Sequence, residues 1–225
     1  MENIIQIRNV NRIFPIVGGE FQALKNINVD IREGELTILK GKSGSGKTTL
    51  LNIIGALDYP SSGEVSIDGK DITKISELSR EKLRRSQMGF VFQSVSLIPS
   101  MTAYQNVEFA LRMANIKENR RQRVEECLKM VGLGGRMTHM PSEMSGGEQQ
   151  RVAIARAIAH KPRILLADEP TAELDSLMSA EVVKLFKKLV ECEKITILMT
   201  THDVGLMDAG DSIIELQNGE QICQN

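Results

Sequence analysis

The sequence predicts an α/β fold: a mainly parallel sheet with helices on both faces, an antiparallel β subdomain near the amino end, and an α-helical subdomain inserted in the middle. Three observations predict it. Short apolar runs, Leu36-Thr37-Ile38-Leu39 and Ile164-Leu165-Leu166-Ala167, have the length and near-continuous hydrophobicity of strands buried on both faces. Such runs alternate with segments of helical length, the pattern of strand–helix–strand units. Between roughly residues 94 and 160 the strand signals stop and capped helices take over.

Taken in order, residues 4–30 alternate apolar and polar side chains, with Ile27, Val29 and Ile31 on one side, which predicts half-buried antiparallel strands. Glu33-Gly34-Glu35 reads as a turn, and the strand after it delivers Gly41. A helix is expected from Thr48 to about Leu57, stopped by Asp58-Tyr59-Pro60. Residues 64–72, which contain Asp68-Gly69, read as a hairpin, and Phe90-Val91-Phe92 as a short strand ending at Gln93. Thr102 and Gln105 form a capping box for a helix through Ala114, and residues 119–131 form a second helix stopped by Gly132. Strand patterning resumes over 163–168. It is followed by a helix from Ser176 to about Glu191, a strand over 195–201, and a hairpin at Asn218-Gly219. The expected organisation is one domain over 1–225, in which 1–93 and 161–225 form the core with its β subdomain and about 94–160 the helical subdomain.

Composition narrows the function classes. The 225 residues, 41% hydrophobic, suit one domain or one domain with an inserted lobe. With 28 Lys+Arg against 29 Asp+Glu the net charge is -1, which argues against nucleic acid or an acidic membrane surface as the main partner. Every apolar run is cut within a few residues, short of the roughly 20 needed to span a bilayer. The amino end lacks the basic start and apolar stretch of a secretory signal, which predicts a cytosolic site. Cys127, Cys192 and Cys223 are scattered, with no C-x-x-C spacing, so reduced thiols are expected rather than a disulfide or zinc site. Eleven Met and no Trp suit an adaptable core.

The residues that carry chemistry begin with Gly41-Lys42-Ser43-Gly44-Ser45-Gly46-Lys47-Thr48, which fits G-x-x-x-x-G-K-[ST] between a buried strand and a helix. Glycines let the backbone wrap so that successive N–H groups face phosphate oxygens, and the helix start adds its positive end. Lys47 would reach the β- and γ-phosphates of ATP and the Thr48 hydroxyl would coordinate Mg2+. Gly41, Ser43, Gly44, Ser45, Gly46 and Thr49 complete the expected nucleotide-binding set. Asp168-Glu169 places two carboxylates at the carboxyl end of a buried strand, where open α/β sheets bind ligands. Asp168 is the expected Mg2+ partner through water, and Glu169 the expected general base for the attacking water. Ser145-Gly146-Gly147-Glu148-Gln149 opens an Ala- and Arg-rich helix; alone it reads as a plain cap, with a second anion site as the other reading.

The order of these features, a phosphate loop, a strand-terminal Gln, the Ser-Gly-Gly-Glu-Gln run, an Asp-Glu strand end and a strand-terminal His, resembles the nucleotide-binding subunit of ABC transporters across residues 4–222. That resemblance implies a P-loop ATPase core and several roles. Gln93 is implied to sense Mg2+ and the γ-phosphate, His202 to contact the γ-phosphate, and Asp175 to communicate across a dimer. Phe14 stands where an aromatic residue stacks on adenine; an apolar core position is its other reading. Two chains are implied to pack head to tail, each ATP lying between Lys47 of one and Ser145, Gly146 and Gly147 of the other. A separate integral membrane permease, with the ATPase peripheral on the cytoplasmic face, is implied as well. Met144 and Glu173 depart from the usual pattern without removing a phosphate ligand, and Lys40 before the loop has no functional explanation in the sequence.

Related classes fit less well. DNA-repair and chromosome ATPases resemble chains with a long coiled coil between loop and signature, for which residues 48–144 leave no room, and translation-factor relatives carry two such domains. A regulatory subunit that signals through a membrane partner, as in cell division, stays open. Within transporters, Leu57-Asp58, Gly89-Phe90-Val91-Phe92-Gln93 and residues 97–107 resemble the lipoprotein-releasing, macrolide-efflux and antimicrobial-peptide-resistance branch. Residues 97–107, with Tyr104 and Val107, are expected to help form a groove for a permease helix. Arg120-Arg121-Gln122-Arg123 reads most simply as a solvated helix face, with contact to lipid headgroups as its other reading.

Overall fold

A computed structural model describes residues 2–222; the expectation for Cys223 lies outside the described residues. Strands β1 (Asn3–Ile16) and β2 (Gly19–Arg32) pair as a long antiparallel hairpin. Two further strands, β4 (Ser62–Ile67) and β5 (Lys70–Asp71), extend it to a sheet in the order β2-β1-β4-β5. The second sheet contains β3 (Leu36–Lys40), β6 (Met88–Val91), β7 (Ile164–Ala167), β8 (Thr196–Thr201), β9 (Ser212–Gln217) and β10 (Glu220–Ile222). Its order is β10-β9-β3-β8-β7-β6, parallel at every pairing except the β9–β10 hairpin.

Strand alternation divides the apolar residues of this sheet between two cores. Leu36, Ile38, Leu165, Ala167, Ile197 and Met199 face one side, where Val182, Phe186 and Leu189 of α6 (Ser176–Glu193) cover them. Leu39, Ile164, Leu166 and Leu198 face the other, against Leu50, Leu51, Ile53 and Ile54 of α1 (Lys47–Ile54) and the inner residues of the antiparallel sheet. Strands covered on both faces favour apolar side chains, as in the Ile-Leu-Leu-Ala of β7; the threonines that interrupt β3 and β8, Thr37, Thr196 and Thr200, are buried with hydrogen-bond partners.

The middle of the chain supplies α3 (Ala103–Met113), α4 (Arg120–Met130) and α5 (Gly146–Ile158). Thr102 caps α3 in the expected box with Gln105. Asn106, fully buried, donates to the carbonyls of Ile98, Met101 and Thr102 and accepts from the Ile98 amide, which fastens the preceding loop to the helix.

Four expectations need correction. Helix α1 ends at Ile54, about one turn early, because the amides of Leu57 and Asp58 both turn back to the Asn52 carbonyl. Helix α2 (Glu77–Gln87) was not expected: it has no apolar stripe, and its one buried residue is Arg80. Arg123 is not part of a solvated face; its guanidinium donates to the carbonyls of Ile158 and Ala159 at 3.0 Å each, closing the carboxyl end of α5, whereas Arg121 is exposed. Val107 is fully buried inside α3 and cannot line a surface groove, while Tyr104 is half-buried.

Candidate functional site

The loop between β3 and α1 is wound by glycines that nothing larger could replace. A Cβ on Gly41 would collide with the Leu216 carbonyl and the Ser45 hydroxyl; Gly46 has φ +104, and a Cβ there would lie 2.8 Å from the Ala23 carbonyl. The neighbours that set this tightness come from opposite ends of the sequence. Gly219, in the β9–β10 turn, donates its N–H to the Ser45 carbonyl at 3.1 Å and accepts from the Lys25 amide at 2.7 Å. Lys40, unexplained in the sequence, pairs with Glu215 of β9 at 2.7 Å, so its charge closes the strand end beside the loop.

Lys47 is 5% exposed and points back into the loop, where Nζ donates to the Gly41 carbonyl at 2.8 Å and the Lys42 carbonyl at 3.3 Å. The same ammonium lies 3.2 Å from Glu169 Oε1. Glu169 Oε2 accepts from His202 Nδ1 at 3.1 Å; an ionised carboxylate only accepts, so the shared proton sits on Nδ1. Glu169 has φ +43, a left-handed conformation that costs a side-chain-bearing residue about 1–3 kcal/mol and is held by its surroundings.

Part of that holding comes from Thr200, which the sequence reading missed. Fully buried at the penultimate position of β8, it accepts the Glu169 amide at 2.8 Å and donates its hydroxyl to Asp168 Oδ1 at 2.7 Å. Thr48 donates to the same Asp168 oxygen at 3.2 Å. One threonine hydroxyl thus sets the spacing of both carboxylates, and α1 is joined to β7 through Thr48. The Ser45 hydroxyl is buried and has no partner among the described residues, a hydrogen-bonding capacity left unused.

A cleft of about 620 Å³ opens over this cluster, lined by Lys42, Ser43, Gly44, Gly46, Lys47, Thr48, Thr49, Gln93, Glu169 and His202 and walled by Phe21 and Ala23. Residues scattered from Phe21 to His202 in the sequence are therefore brought to one place. Phe14 is outside that lining: it pairs across the hairpin with Phe21, and the Arg12 guanidinium lies over its ring. Phe21, half exposed on β2, was not singled out in the sequence because a lone aromatic in an alternating strand reads as ordinary sheet surface.

Ser145, Gly146, Gly147 and Asp175 are also outside the cleft. Ser145 caps α5 by accepting the Glu148 amide at 3.2 Å while Glu148 accepts the Ser145 amide at 2.9 Å. That backbone bond, with Arg136 beside it, holds the Glu148 carboxyl below its ordinary range. Asp175 caps α6 through the Met178 amide at 2.8 Å. A groove between α4, α5 and α6, about 730 Å³, is larger than the cleft. Its rim of Arg151, Glu181, Lys184 and Lys187 has neither a turned-in loop nor a buried charge, so volume alone is a poor guide here.

Residues 24–172 match the protein family described as ABC transporter, and this interval holds the glycine loop, Gln93, the Ser145 cap and Asp168-Glu169. The chain belongs to the ABC transporter family. It is an ATP-binding, ATP-hydrolysing member of it. An uncharacterized ABC transporter ATP-binding protein of Methanocaldococcus jannaschii, MJ0796, is 46% identical over 222 residues, covering 96% of this chain and 94% of the relative. The macrolide export ATP-binding/permease protein MacB of Rhodopirellula baltica is 39% identical over 219 residues; the match covers 96% of this chain and 32% of that longer protein. Among solved structures, a dimeric structure of the MJ0796 cassette superposes with TM-score 0.90 at 44% identity, over 97% of each chain. A post-hydrolysis dimer of the same cassette bound to ADP and Pi superposes with TM-score 0.90 at 43% identity, over 98% of this chain and 97% of that one.

Proposed function

We propose that this ABC ATPase binds ATP with Mg2+ in the cleft over the glycine loop, hydrolyses it between two copies of the chain, and thereby drives a separate membrane permease. The observation that carries the reading is the buried Lys47–Glu169 pair at the mouth of that loop. Lys47, the loop amides from Ser43 to Thr49 and the Ser45 hydroxyl hold the polyphosphate. Thr48 and Asp168, with Gln93 at the cleft edge, are hard oxygen donors few enough in number to suit Mg2+, which keeps several of its waters. Bound there, the ion neutralises phosphate charge and orients the group being transferred.

The pairing of Lys47 supplies a trigger. While Lys47 is held by Glu169, the carboxylate is occupied; a phosphate that takes over the ammonium releases Glu169 toward the attacking water as general base. His202, bonded to the other oxygen of Glu169, keeps the carboxylate oriented, and its ring, which lines the cleft, is the group proposed to meet the γ-phosphate. Ser145, Gly146 and Gly147 lie outside this chain's cleft, which agrees with their completing the site of a second copy, with Asp175 beside them. Phe14 stacks on the base. That the MJ0796 cassette is dimeric supports a pairing of two copies, for which the head-to-tail arrangement is the proposal.

No helix among the described residues is long and apolar enough to cross a membrane. The work on the membrane falls to a permease, met on the cytoplasmic side through the surface around Gln93 and α3, where Phe109 and Met113, one helical turn apart, are exposed. Likeness to MacB supports an export or extracytoplasmic role. The test is Glu169→Gln: ATP still binds, turnover falls by about 10²- to 10⁴-fold as expected for loss of a general base, and dimers accumulate in ATP on size-exclusion chromatography. Normal hydrolysis by that variant would remove Glu169 from the mechanism.

A further inference from the structure

Outside the phosphate cleft, a tightly held polar cluster surrounds Arg12. Arg12 and Phe14 are two residues apart on β1, so strand alternation sets them on one face, and the guanidinium carbon lies 4.3 Å from the centre of the Phe14 ring. The guanidinium cannot turn away. Its Nε and Nη2 donate to the two carboxylate oxygens of Asp58 at 2.9 and 2.8 Å, a forked pair that fixes the plane as well as the position, and both side chains are largely buried.

Asp58 is itself anchored to α1. Its amide donates to the Asn52 carbonyl of that helix at 3.2 Å, and its own carbonyl accepts Arg80 Nη2 at 2.6 Å. Arg80, fully buried, stacks over the Tyr59 ring at 3.7 Å and so fills the space beneath Asp58. The helix that begins at the phosphate loop thus ends by fixing, through Asp58, the plane of Arg12 and with it one face of Phe14. Phe14 in turn stands opposite Phe21, the aromatic wall of the cleft.

We propose that Arg12 is a positioning residue for the nucleotide base: clamped by Asp58, it covers one face of the Phe14 ring and presents the other to the purine. This rests on the reading of Phe14 as the base-stacking residue. A ring already held before the nucleotide arrives loses no further rotational freedom on binding, and freezing one such side chain changes affinity by about two- to tenfold. Stacking on the ring while forking both oxygens of Asp58 needs the planar guanidinium; a lysine ammonium could attract the ring but could not make the forked pair.

The experiment measures steady-state ATPase kinetics on the full chain, with binding of ATP and of inorganic tripolyphosphate, which has no base, by calorimetry. Arg12→Ala and Asp58→Asn are expected to raise KM for ATP about three- to tenfold, leave kcat within about twofold, and leave tripolyphosphate affinity unchanged. Arg12→Lys recovers part of the loss at most. If Arg12→Ala is insoluble, Arg12→Gln, which keeps the length and a donor toward Asp58, carries the same expectation. The assignment is overturned if KM for ATP does not move, or if ATP and tripolyphosphate weaken equally, the result of a generally loosened hairpin. Phe14→Ala separates the two layers. Should it weaken ATP binding while the Arg12 variants do not, the positioning role alone falls; should it leave ATP binding intact, the stacking reading falls and the role of Arg12 with it.

Discussion

The glycine loop with its carboxylates and the Ser145 cap are both anion-ready helix starts, yet they are built in opposite ways. At the loop, Lys47, Thr48, Asp168, Glu169, Thr200 and His202 come from α1, the ends of β7 and β8, and the segments just beyond those ends, and each side chain is held by residues distant in sequence. At the cap, Ser145 and Glu148 satisfy each other within one turn, with Arg136 beside them. The first arrangement exists only when the whole sheet is assembled; the second folds locally and stays open on its outer side. Under the proposed pairing of two copies, the first arrangement is rigid where charge must be placed and the second stays available to another molecule.

Substitutions can break that contrast. The largest effect is expected from Lys47→Ala, which removes the cation aimed at developing phosphate charge: ATPase turnover should fall by about 10²- to 10³-fold with the fold intact by circular dichroism. A parent-like rate would mean the long-range cluster is not the catalytic one. Next is Thr200→Val, nearly the same shape but without the hydroxyl. It strands the Glu169 amide and one Asp168 bond, so denaturant unfolding should lose about 1–3 kcal/mol, and turnover should drop even at saturating ATP. Ser145→Ala should cost about 1 kcal/mol through the lost cap, confined to α5 in hydrogen exchange. It should also weaken ATP-dependent dimerisation while sparing ATP binding to the monomer.

The smallest effect sharpens the comparison from the helical side. His160, just after α5, bonds the Met88 carbonyl at 2.9 Å, and burial pushes its pKa below the ordinary histidine value. The unfolded chain therefore binds the proton more readily than the folded one. Stability is fully present above about pH 6.5, the unfolded value, and is lost as pH falls through the lower, folded one. His160→Gln should flatten thermal unfolding between pH 7 and 5; an unchanged slope would place the titrating group elsewhere.

Much of this was legible in the sequence, and what was legible was local. The glycine loop, the Thr102 box, the Asp68-Gly69 and Asn218-Gly219 turns and the apolar strands each declare themselves within a few residues. Helix α2 did not, because a buried arginine rather than an apolar stripe anchors it, and periodicity is blind to that. Val107 and Arg123 were misplaced for a related reason: a short window shows a residue's character and not which neighbour covers it. Thr200 and Phe21 were missed since each acquires its role from a partner on another strand. Lys40 had no meaning until Glu215 stood beside it.

The fastening of the phosphate loop by Gly219 bears on how the protein is made. Ser45 is translated well ahead of the turn that hydrogen-bonds to it, whose preceding strand supplies the Leu216 carbonyl packed on Gly41. Until Gly219 has been translated the loop waits unfastened, and a nascent chain that stalls before that turn lacks this hold on it.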